Sequence, residues 1–191
     1  GLTSIVIPNS VTNIGDFVFS KCPELTSINV DSKNTQYHSV NNCLIETASK
    51  TLIAGCKNSV IPDDGSVTSI SDGTFSGCTG LTNITIPDSV TNIGGNAFSS
   101  CTGLTSIIIP DSVTSIEYGA FSGCTGLTSI IIPDSVTSIE YGAFSGCTGL
   151  TSINVDSKNT QYNSVKNCLI ETASKTLIAG CKNSVIPDDG S

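Results

Sequence analysis

Residues 104–126 read LTSIIIPDSVTSIEYGAFSGCTG, and residues 127–149 repeat the same letters without a change. A catalytic residue is normally unique in its chain, whereas every residue of this stretch occurs twice. The duplication therefore favours a stack of repeats over an enzyme, because each unit of such a stack buries its apolar edge against its neighbours.

The same pattern extends over most of the chain. Leu-Thr pairs open repeats at six positions, which lie 23 residues apart except for one interval of 56. These positions are Leu2, Leu25, Leu81, Leu104, Leu127 and Leu150. Because the pattern is already running at the first residue and is still running at the last, we expect the chain to be a piece of a longer array.

The long interval contains a unit that itself recurs. Residues 25–66 reappear as residues 150–191 with only two differences, at positions 38 and 41. Within this unit, NSVIPDDGSVTSI aligns with the short repeat if two residues are inserted, which places Cys56 at a leucine position. We therefore interpret each long unit as two turns with an insertion between them, and predict about eight turns in all.

The apolar spacing within one repeat fits neither one long helix nor one long strand. LTSIII is typical of a strand with Ile107 and Ile109 buried, and Pro110 and Asp111 favour a turn. VTSI predicts a second short extended piece, and YGAFSGC predicts a tight 3₁₀ or helical corner that ends at glycine. The fold class that follows is a mainly-β repeat solenoid with short corners.

The insertion NCLIETASKTLIAGC, residues 42–56, has two apolar runs around Thr47–Lys50 and predicts a β-hairpin that stands out from the coil. We therefore predict a single solenoid over residues 1–191. Its regular repeats lie at 2–24 and 81–149, and its long, hairpin-bearing units lie at 25–80 and 150–191.

Composition excludes several classes of partner. The formal net charge is −8 and the chain contains no arginine, so a polyanion such as nucleic acid, or an anionic membrane, would be repelled. No run of 18 apolar residues is present, so we expect no membrane insertion.

The repeat LTSIIIPDSVTSIEYGAFSGCTG resembles the BspA-type leucine-rich repeat, which fixes about nine positions in every 23-residue copy. The resemblance covers nearly the whole chain, including the inserted unit. It implies a leucine-rich-repeat coil stack without enzymatic activity. It also implies a secreted or cell-surface protein that binds host matrix proteins or other cells. The sequence itself shows no signal peptide or wall anchor, so the extracellular location rests on the resemblance.

The nine cysteines contain no C-x-x-C pair, which argues against zinc. Most occupy one repeat position, and we expect them to be buried thiols that behave as small apolar groups. Disulfides remain an alternative at two pairs that flank the predicted hairpins. These pairs are Cys43 with Cys56 and Cys168 with Cys181.

Acidic and nucleophilic residues give no convincing reactive site. Asp88, Asp111 and Asp134 recur at successive turns, with Asp63 and Asp188 at matching places, but one carboxylate per turn forms a row and not a calcium cage. The single histidine, His38, is replaced by asparagine in the second copy of its unit, which argues against a catalytic base. We expect no catalytic residues, metal or cofactor.

The outward side chains of the LTSIII strands are the best candidate for function. They combine small hydroxyls with two isoleucines, and an apolar strip rimmed by polar groups often marks an interaction site. Stacked Tyr118 and Tyr141 could add a contact surface. The candidate binding face consists of Ser4, Val6, Asn83, Thr85, Ser106, Ile108, Ser129, Ile131, Ser152 and Asn154.

Two functions fit this face. The first is protein binding or adhesion along the solenoid, with low affinity at each turn and more through multiplicity. The second is a passive spacer that presents another domain. β-Branched side chains favour strands whether or not anything binds them, so the strand composition does not separate the two.

Overall fold

The computed structural model describes residues 1–187, which wind into about seven turns of a mainly-β coil without a helix in that range. Two columns of short strands run along the stack, each strand contributed by one turn. The predicted fold class, a leucine-rich-repeat coil stack, is confirmed. The predicted turn at Asp188 lies outside the described residues.

The first column is built from the LTSIII-type segments. Its strands pair in parallel with the equivalent residues of the next turn in register, so Ser4 lies beside Ser27 and Ser129 beside Ser152. Strands in this column are β1 (Ser4–Ile7), β2 (Ser27–Val30), β9 (Ser129–Ile132) and β11 (Ser152–Val155).

The second column is built from the VTSI-type segments, each only two residues long. Parallel pairing again joins equivalent residues of successive turns, such as Ile93 with Ile116. Its strands are β6 (Ser69–Ile70), β7 (Asn92–Ile93), β8 (Ser115–Ile116) and β10 (Ser138–Ile139).

The inserted segments form three-stranded antiparallel meanders, so the predicted hairpins are present. Contrary to the prediction, they do not stand out from the coil. In the first copy, Leu52 pairs in parallel with Ile70, so the last strand of the meander extends the second column by one strand. The strands are β3 (Tyr37–Val40), β4 (Cys43–Glu46), β5 (Thr51–Ala54), β12 (Tyr162–Val165), β13 (Cys168–Glu171) and β14 (Thr176–Gly180).

The corner of each regular repeat is a hydrogen-bonded ribbon, where the sequence predicts a 3₁₀ or helical segment. Backbone N–H groups alternate between a local turn, as from Ser122 to the Gly119 carbonyl, and the next turn of the coil, as from Phe121 to the Ala143 carbonyl. This alternation gives the backbone N–H groups of the corner their hydrogen-bond partners without a helix. It requires left-handed backbone at two positions four residues apart, such as Gly119 and Gly123.

The core runs along the axis of the stack between the two columns. Each regular turn contributes a leucine, several isoleucines or valines and a phenylalanine, and most of these side chains are almost fully buried. The Phe column stops at Gly55, where a Cβ atom would lie 2.0 Å from the ring of Phe75. The glycine therefore makes room for the last ring.

Cys56 does not replace a leucine, contrary to the prediction. Its carbonyl accepts the N–H of Ser59, as the Cys78 carbonyl accepts the N–H of Leu81. Cys56 therefore begins the same kind of local hydrogen-bonded turn as the other repeat cysteines, and Ser59 occupies the leucine position. The buried Ser59 hydroxyl donates to the Asn42 carbonyl at 2.8 Å and accepts from the Cys56 N–H at 2.8 Å.

Candidate functional site

The first strand column turns alternate side chains to the core and to the solvent, as the pleat of a β-strand requires. Ile107 and Ile109 are buried at 7% and 6% exposure. Between them, Ile108 is 76% exposed, and Ile131 in the next turn is 62% exposed. The candidate binding face therefore has the outward orientation that the sequence predicts, and only Ser152 of its ten residues is half-buried.

The structure divides this face into two parts. Residues Ser4 and Val6 lie at the N-terminal end, beside the second turn. The third turn forms no strand in the first column, and there Val60 is exposed. The other eight candidate residues lie on the four following turns: Asn83, Thr85, Ser106, Ile108, Ser129, Ile131, Ser152 and Asn154.

The pairing within the larger part is also incomplete. A single parallel bridge joins Thr85 to Ile108, and a full ladder joins Ile131 to Asn154. A groove of about 370 Å³ lies between the two paired regions. We call it the isoleucine groove; its lining includes Ser106, Ile108, Asp111, Ser129, Ile131, Pro133 and Asp156.

The isoleucine groove contains residues that the sequence analysis did not assign to the face. Asp111 and Asp156 are exposed carboxylates in its lining, and the buried Pro133 also lines it. Ser27 and Asn29 also belong to the first column, beside Val6. The identity of residues 25–30 with residues 150–155 was a signal that could have identified Ser27 and Asn29.

Many of the repeated hydroxyls have a structural role. The Oγ1 atom of Thr128 donates to the Thr105 carbonyl of the preceding turn at 3.3 Å, and the Oγ of Ser112 donates to the Val90 carbonyl at 2.6 Å. Equivalent bonds recur along both columns. These hydroxyls fasten successive turns together and are less available to a ligand.

A second exposed surface lies on the corners. The rings of Tyr118 and Tyr141 are 6.2 Å apart between centroids and stack at an angle of 24°. The Glu140 carboxylate accepts the Tyr118 N–H at 3.1 Å, and Glu117 accepts a bond from the Asn92 side chain at 2.8 Å. The predicted stacking of the tyrosines is therefore present.

All nine cysteines are free, so neither of the two alternative disulfides is formed in the structure. Burial raises the pKa of the Cys43 and Cys124 thiols to about 12. The Sγ atoms of Cys101, Cys124 and Cys147 each donate to a phenylalanine carbonyl at 3.1 Å. Such thiols stay protonated at neutral pH and are poor nucleophiles and poor metal ligands.

The other polar candidates do not converge. Among residues 1–187, no three His, Cys, Asp or Glu side chains come together as a metal site. Asp88, Asp111 and Asp134 are exposed, and Asp188 lies beyond the described residues. The Nδ1 atom of His38 lies 2.9 Å from Thr47 Oγ1. The described part of the chain also has no helix of a length and apolarity that could cross a membrane.

The fold is shared with solved bacterial structures. PcpA, a pneumococcal vaccine antigen, aligns with a TM-score of 0.74 at 23% identity, over 84% of this chain and 40% of that one, a likeness that concerns the fold alone. A leucine rich cell surface protein from Faecalibacterium prausnitzii aligns with a TM-score of 0.60 at 32% identity, over 81% of this chain and 48% of its own.

A third structure, a leucine-rich repeat protein from Bacteroides ovatus, aligns with a TM-score of 0.55 at 31% identity, over 80% of this chain and 37% of its own. The chain thus spans less than half the length of these three structures. No curated protein matches the sequence.

The sequence pattern leads to the same family as the fold. A family model for the BspA type leucine rich repeat region matches residues 1–51 and 53–171 in six copies. Leucine-rich repeat families are generally non-catalytic scaffolds, and membership of such a family is consistent with a protein-interaction scaffold. The chain belongs to the BspA-type leucine-rich repeat family.

Proposed function

We propose that this chain is a non-catalytic adhesion segment of a cell-surface protein and that it binds protein partners at the isoleucine groove. The observation that carries the proposal is the exposure of Ile108 and Ile131 on neighbouring turns, at 76% and 62%. Both positions point away from the core, so core packing does not require an apolar side chain there.

Burying these two side chains in a complex would be favourable. Removing apolar surface from water contributes about 25 cal/mol per Å², so a well-covered isoleucine contributes about 2 kcal/mol. At the equivalent position the other turns have Val6, Asn29, Thr85 and Asn154. Val6 lies on the separate N-terminal part of the face, so within the larger part the apolar side chains are confined to these two neighbouring turns, as expected for a contact centre surrounded by polar residues.

The carboxylates at the edge of the groove indicate the charge of the partner. Asp111 and Asp156 are exposed beside the two isoleucines, and the whole chain carries a net charge of −8. A partner that presents lysine or arginine around an apolar side chain would be complementary in both respects. Such a partner would associate faster at low ionic strength, because the charges attract at a distance.

The cell-surface location is supported by resemblance to the leucine rich cell surface protein from Faecalibacterium prausnitzii. Host matrix or cell-surface proteins are the partners that we propose on this basis. The alternative function, a passive spacer, is supported by the exact repetition of residues 104–126 in residues 127–149. Duplication lengthens a stalk as readily as it multiplies a contact surface.

Binding to immobilised matrix proteins and mucin, measured by surface plasmon resonance, tests the adhesion proposal. We expect saturable binding by the parent chain that weakens at least tenfold in the double variant Ile108→Lys/Ile131→Lys. The matched control is Val60→Lys/Val185→Lys, because these valines are also well exposed, at 62% and 58%, and lie outside the groove.

Both double variants add the same charge to exposed positions, so circular dichroism and thermal melting should show an unchanged fold. Equal weakening in the two variants would mean that charge alone matters, and would contradict the groove as the contact centre. Absence of binding by the parent chain to the whole panel would favour the spacer.

A further inference from the structure

The exposed tyrosine column is interrupted by a glycine inside the stack. The rings of Tyr141 and Tyr118 stack on each other, but the equivalent residue of the preceding turn is Gly95. The face of the Tyr118 ring that is turned away from Tyr141 therefore has no equivalent side chain stacked on it. Tyr118 is 53% exposed although a further turn of the coil lies on either side of it. This ring thus presents an aromatic face that the solenoid itself leaves open.

Two glycines lie beside this open face, and the fold requires only one of them. A Cβ atom on Gly94 would lie 2.7 Å from the Ile70 carbonyl oxygen, which is too close for a side chain. A Cβ atom on Gly95 would lie 3.4 Å from the Asp72 side chain, at the short end of ordinary contact, and the backbone of Gly95 is not left-handed. Packing therefore does not demand a glycine at position 95. We call the space beside Gly95, between Asp72 and the Tyr118 ring, the glycine notch.

Two carboxylates flank the glycine notch, and each is held in place through one oxygen. Asp72 Oδ1 accepts the Gly95 N–H at 2.7 Å, so this carboxylate lies at the level of Gly95, one turn from Tyr118. Glu117 Oε1 accepts a bond from the Asn92 side chain of the preceding turn at 2.8 Å. Within residues 1–187 the second oxygen of each carboxylate has no hydrogen-bond partner in the protein. These two oxygens are therefore oriented acceptors.

The negative charge of the notch is not balanced by the chain. In the described part of the sequence the one ion pair joins Lys57 to Glu24, so neither notch carboxylate has a cationic partner. The chain also contains no arginine, so a second copy of these 191 residues could not supply one. A guanidinium group in the notch would have to come from a different protein.

An arginine side chain matches the notch in shape and in charge. Its guanidinium group is flat, stacks on an aromatic face and donates from several N–H groups in its own plane. Because the Asp72 carboxylate lies at the level of Gly95, it is beside a group that stacks on Tyr118, where an in-plane hydrogen bond can form. A lysine ammonium is a compact point charge without a flat surface to stack.

We infer that the glycine notch binds an arginine side chain of a partner protein. The guanidinium group stacks on Tyr118 and donates to Asp72 and Glu117. This inference goes beyond the proposed function and is independent of it, because the notch shares no residue with the isoleucine groove.

The test is an NMR titration of the isotope-labelled 191-residue chain with the peptide acetyl-Gly-Arg-Gly-amide. We expect saturable shifts of the amide signals of Gly94, Gly95 and Tyr118. The matched probe replaces arginine by citrulline, which has nearly the same shape without the charge, and should bind at least tenfold more weakly. The corresponding lysine peptide should bind at least threefold more weakly than the arginine peptide, because it cannot stack.

Variants of the protein locate the site. Gly95→Tyr supplies the residue that the two following turns have at this position, and it should abolish binding by covering the open ring face. Tyr118→Phe keeps that face and should bind within twofold of the parent. Asp72→Asn should weaken binding at least fivefold, whereas Asp134→Asn removes the same charge from an exposed carboxylate outside the notch and should not. Circular dichroism checks that each variant is folded.

Equal binding of the arginine and citrulline peptides, or of the arginine and lysine peptides, would overturn the inference. So would shifts centred away from Gly95, or unchanged binding by a folded Gly95→Tyr variant. The double variant Ile108→Lys/Ile131→Lys should still bind the arginine peptide, which separates a failure of the glycine notch from a failure of the isoleucine groove.

Discussion

The rings of Phe98 and Phe121 lie parallel, with centroids 5.4 Å apart and planes inclined by 1°. Phe75 and Phe144 continue the same column on either side, at 5.2 Å and 5.6 Å. Each regular turn thus contributes one ring, and each ring inside the column contacts both neighbours. The column couples the stability of one turn to that of the next.

Truncation of an inner ring should therefore be costly. We expect Phe121→Ala to lower the free energy of unfolding by about 3–5 kcal/mol, because the ring is fully buried and leaves a cavity between two others. Urea unfolding followed by circular dichroism measures the change. The control is Tyr118→Ala in the same repeat, whose ring is 53% exposed and should cost much less. Similar losses in both variants would contradict the role of the column.

The corner ribbon leads to a prediction in the stabilising direction. Ser100 adopts a φ of 60° at the position where the two following repeats have Gly123 and Gly146. Left-handed backbone costs a residue with a Cβ atom about 1 kcal/mol more than glycine. Ser100→Gly should accordingly stabilise the chain by up to about 1 kcal/mol, and Gly123→Ala should destabilise it by a similar amount.

Ser99→Gly is the matched control, because Ser99 precedes the left-handed position and has ordinary backbone. It should lower stability slightly, since glycine adds freedom to the unfolded chain. Thermal unfolding of the three variants decides the matter. If Ser99→Gly and Ser100→Gly shift the midpoint in the same direction, backbone handedness does not control the corner.

The regular part of the fold could be predicted because the 23-residue pattern determines the strand, the turn and the buried positions of each coil. Alternation around Ile108 identifies a strand with one exposed face, and repetition places equivalent residues beside one another. The hairpin strands were predictable from their apolar runs. Their incorporation into the second column was not, because it depends on the pairing of Leu52 with Ile70 across an intervening loop.

The candidate site shows the same division. The alternation of apolar and polar residues predicted which side chains point outward, and these side chains are exposed or half-buried in the structure. The interruption of the face at the third turn, where Val60 stands outside any strand, has no local signal. The groove between Ile108 and Ile131 also arises from incomplete pairing between turns of identical sequence, so the sequence of one turn cannot reveal it.

A buried tyrosine in each long unit secures the preceding turn. The Tyr162 hydroxyl accepts the backbone N–H of Ile139 at 2.8 Å, and the Tyr37 hydroxyl accepts that of Ile14 at 2.9 Å. Tyr162→Phe would leave the buried N–H of Ile139 without this acceptor, which should cost about 1–3 kcal/mol. Urea unfolding provides the measurement.

Tyr141→Phe is the control for this loss, because the Tyr141 side chain is 85% exposed and its hydroxyl faces solvent. It should leave the unfolding midpoint within about 0.5 kcal/mol of the parent. A neutral effect of Tyr162→Phe would show that the hydroxyl is dispensable and that only ring packing matters.

The buried thiols predict a loss of stability in alkaline solution. Burial raises the pKa of Cys43 and Cys124 from 9.0 to about 12, and that of Cys78 and Cys147 to about 11. Above pH 9 the unfolded chain therefore releases protons that the folded chain retains. The stabilisation is complete below pH 9 and is lost as the pH rises toward the folded-state values.

Each such thiol should contribute a slope of about 1.4 kcal/mol per pH unit in this window. Urea unfolding between pH 8 and pH 10.5 measures the slope directly. Cys124→Ala should reduce the slope by about the contribution of one thiol. The variant should also be less stable than the parent at pH 7, because a buried side chain has been shortened. Cys22→Ala, at a half-buried cysteine, is the matched control. An unchanged slope in Cys124→Ala would mean that the alkaline loss comes from groups other than the buried thiol column.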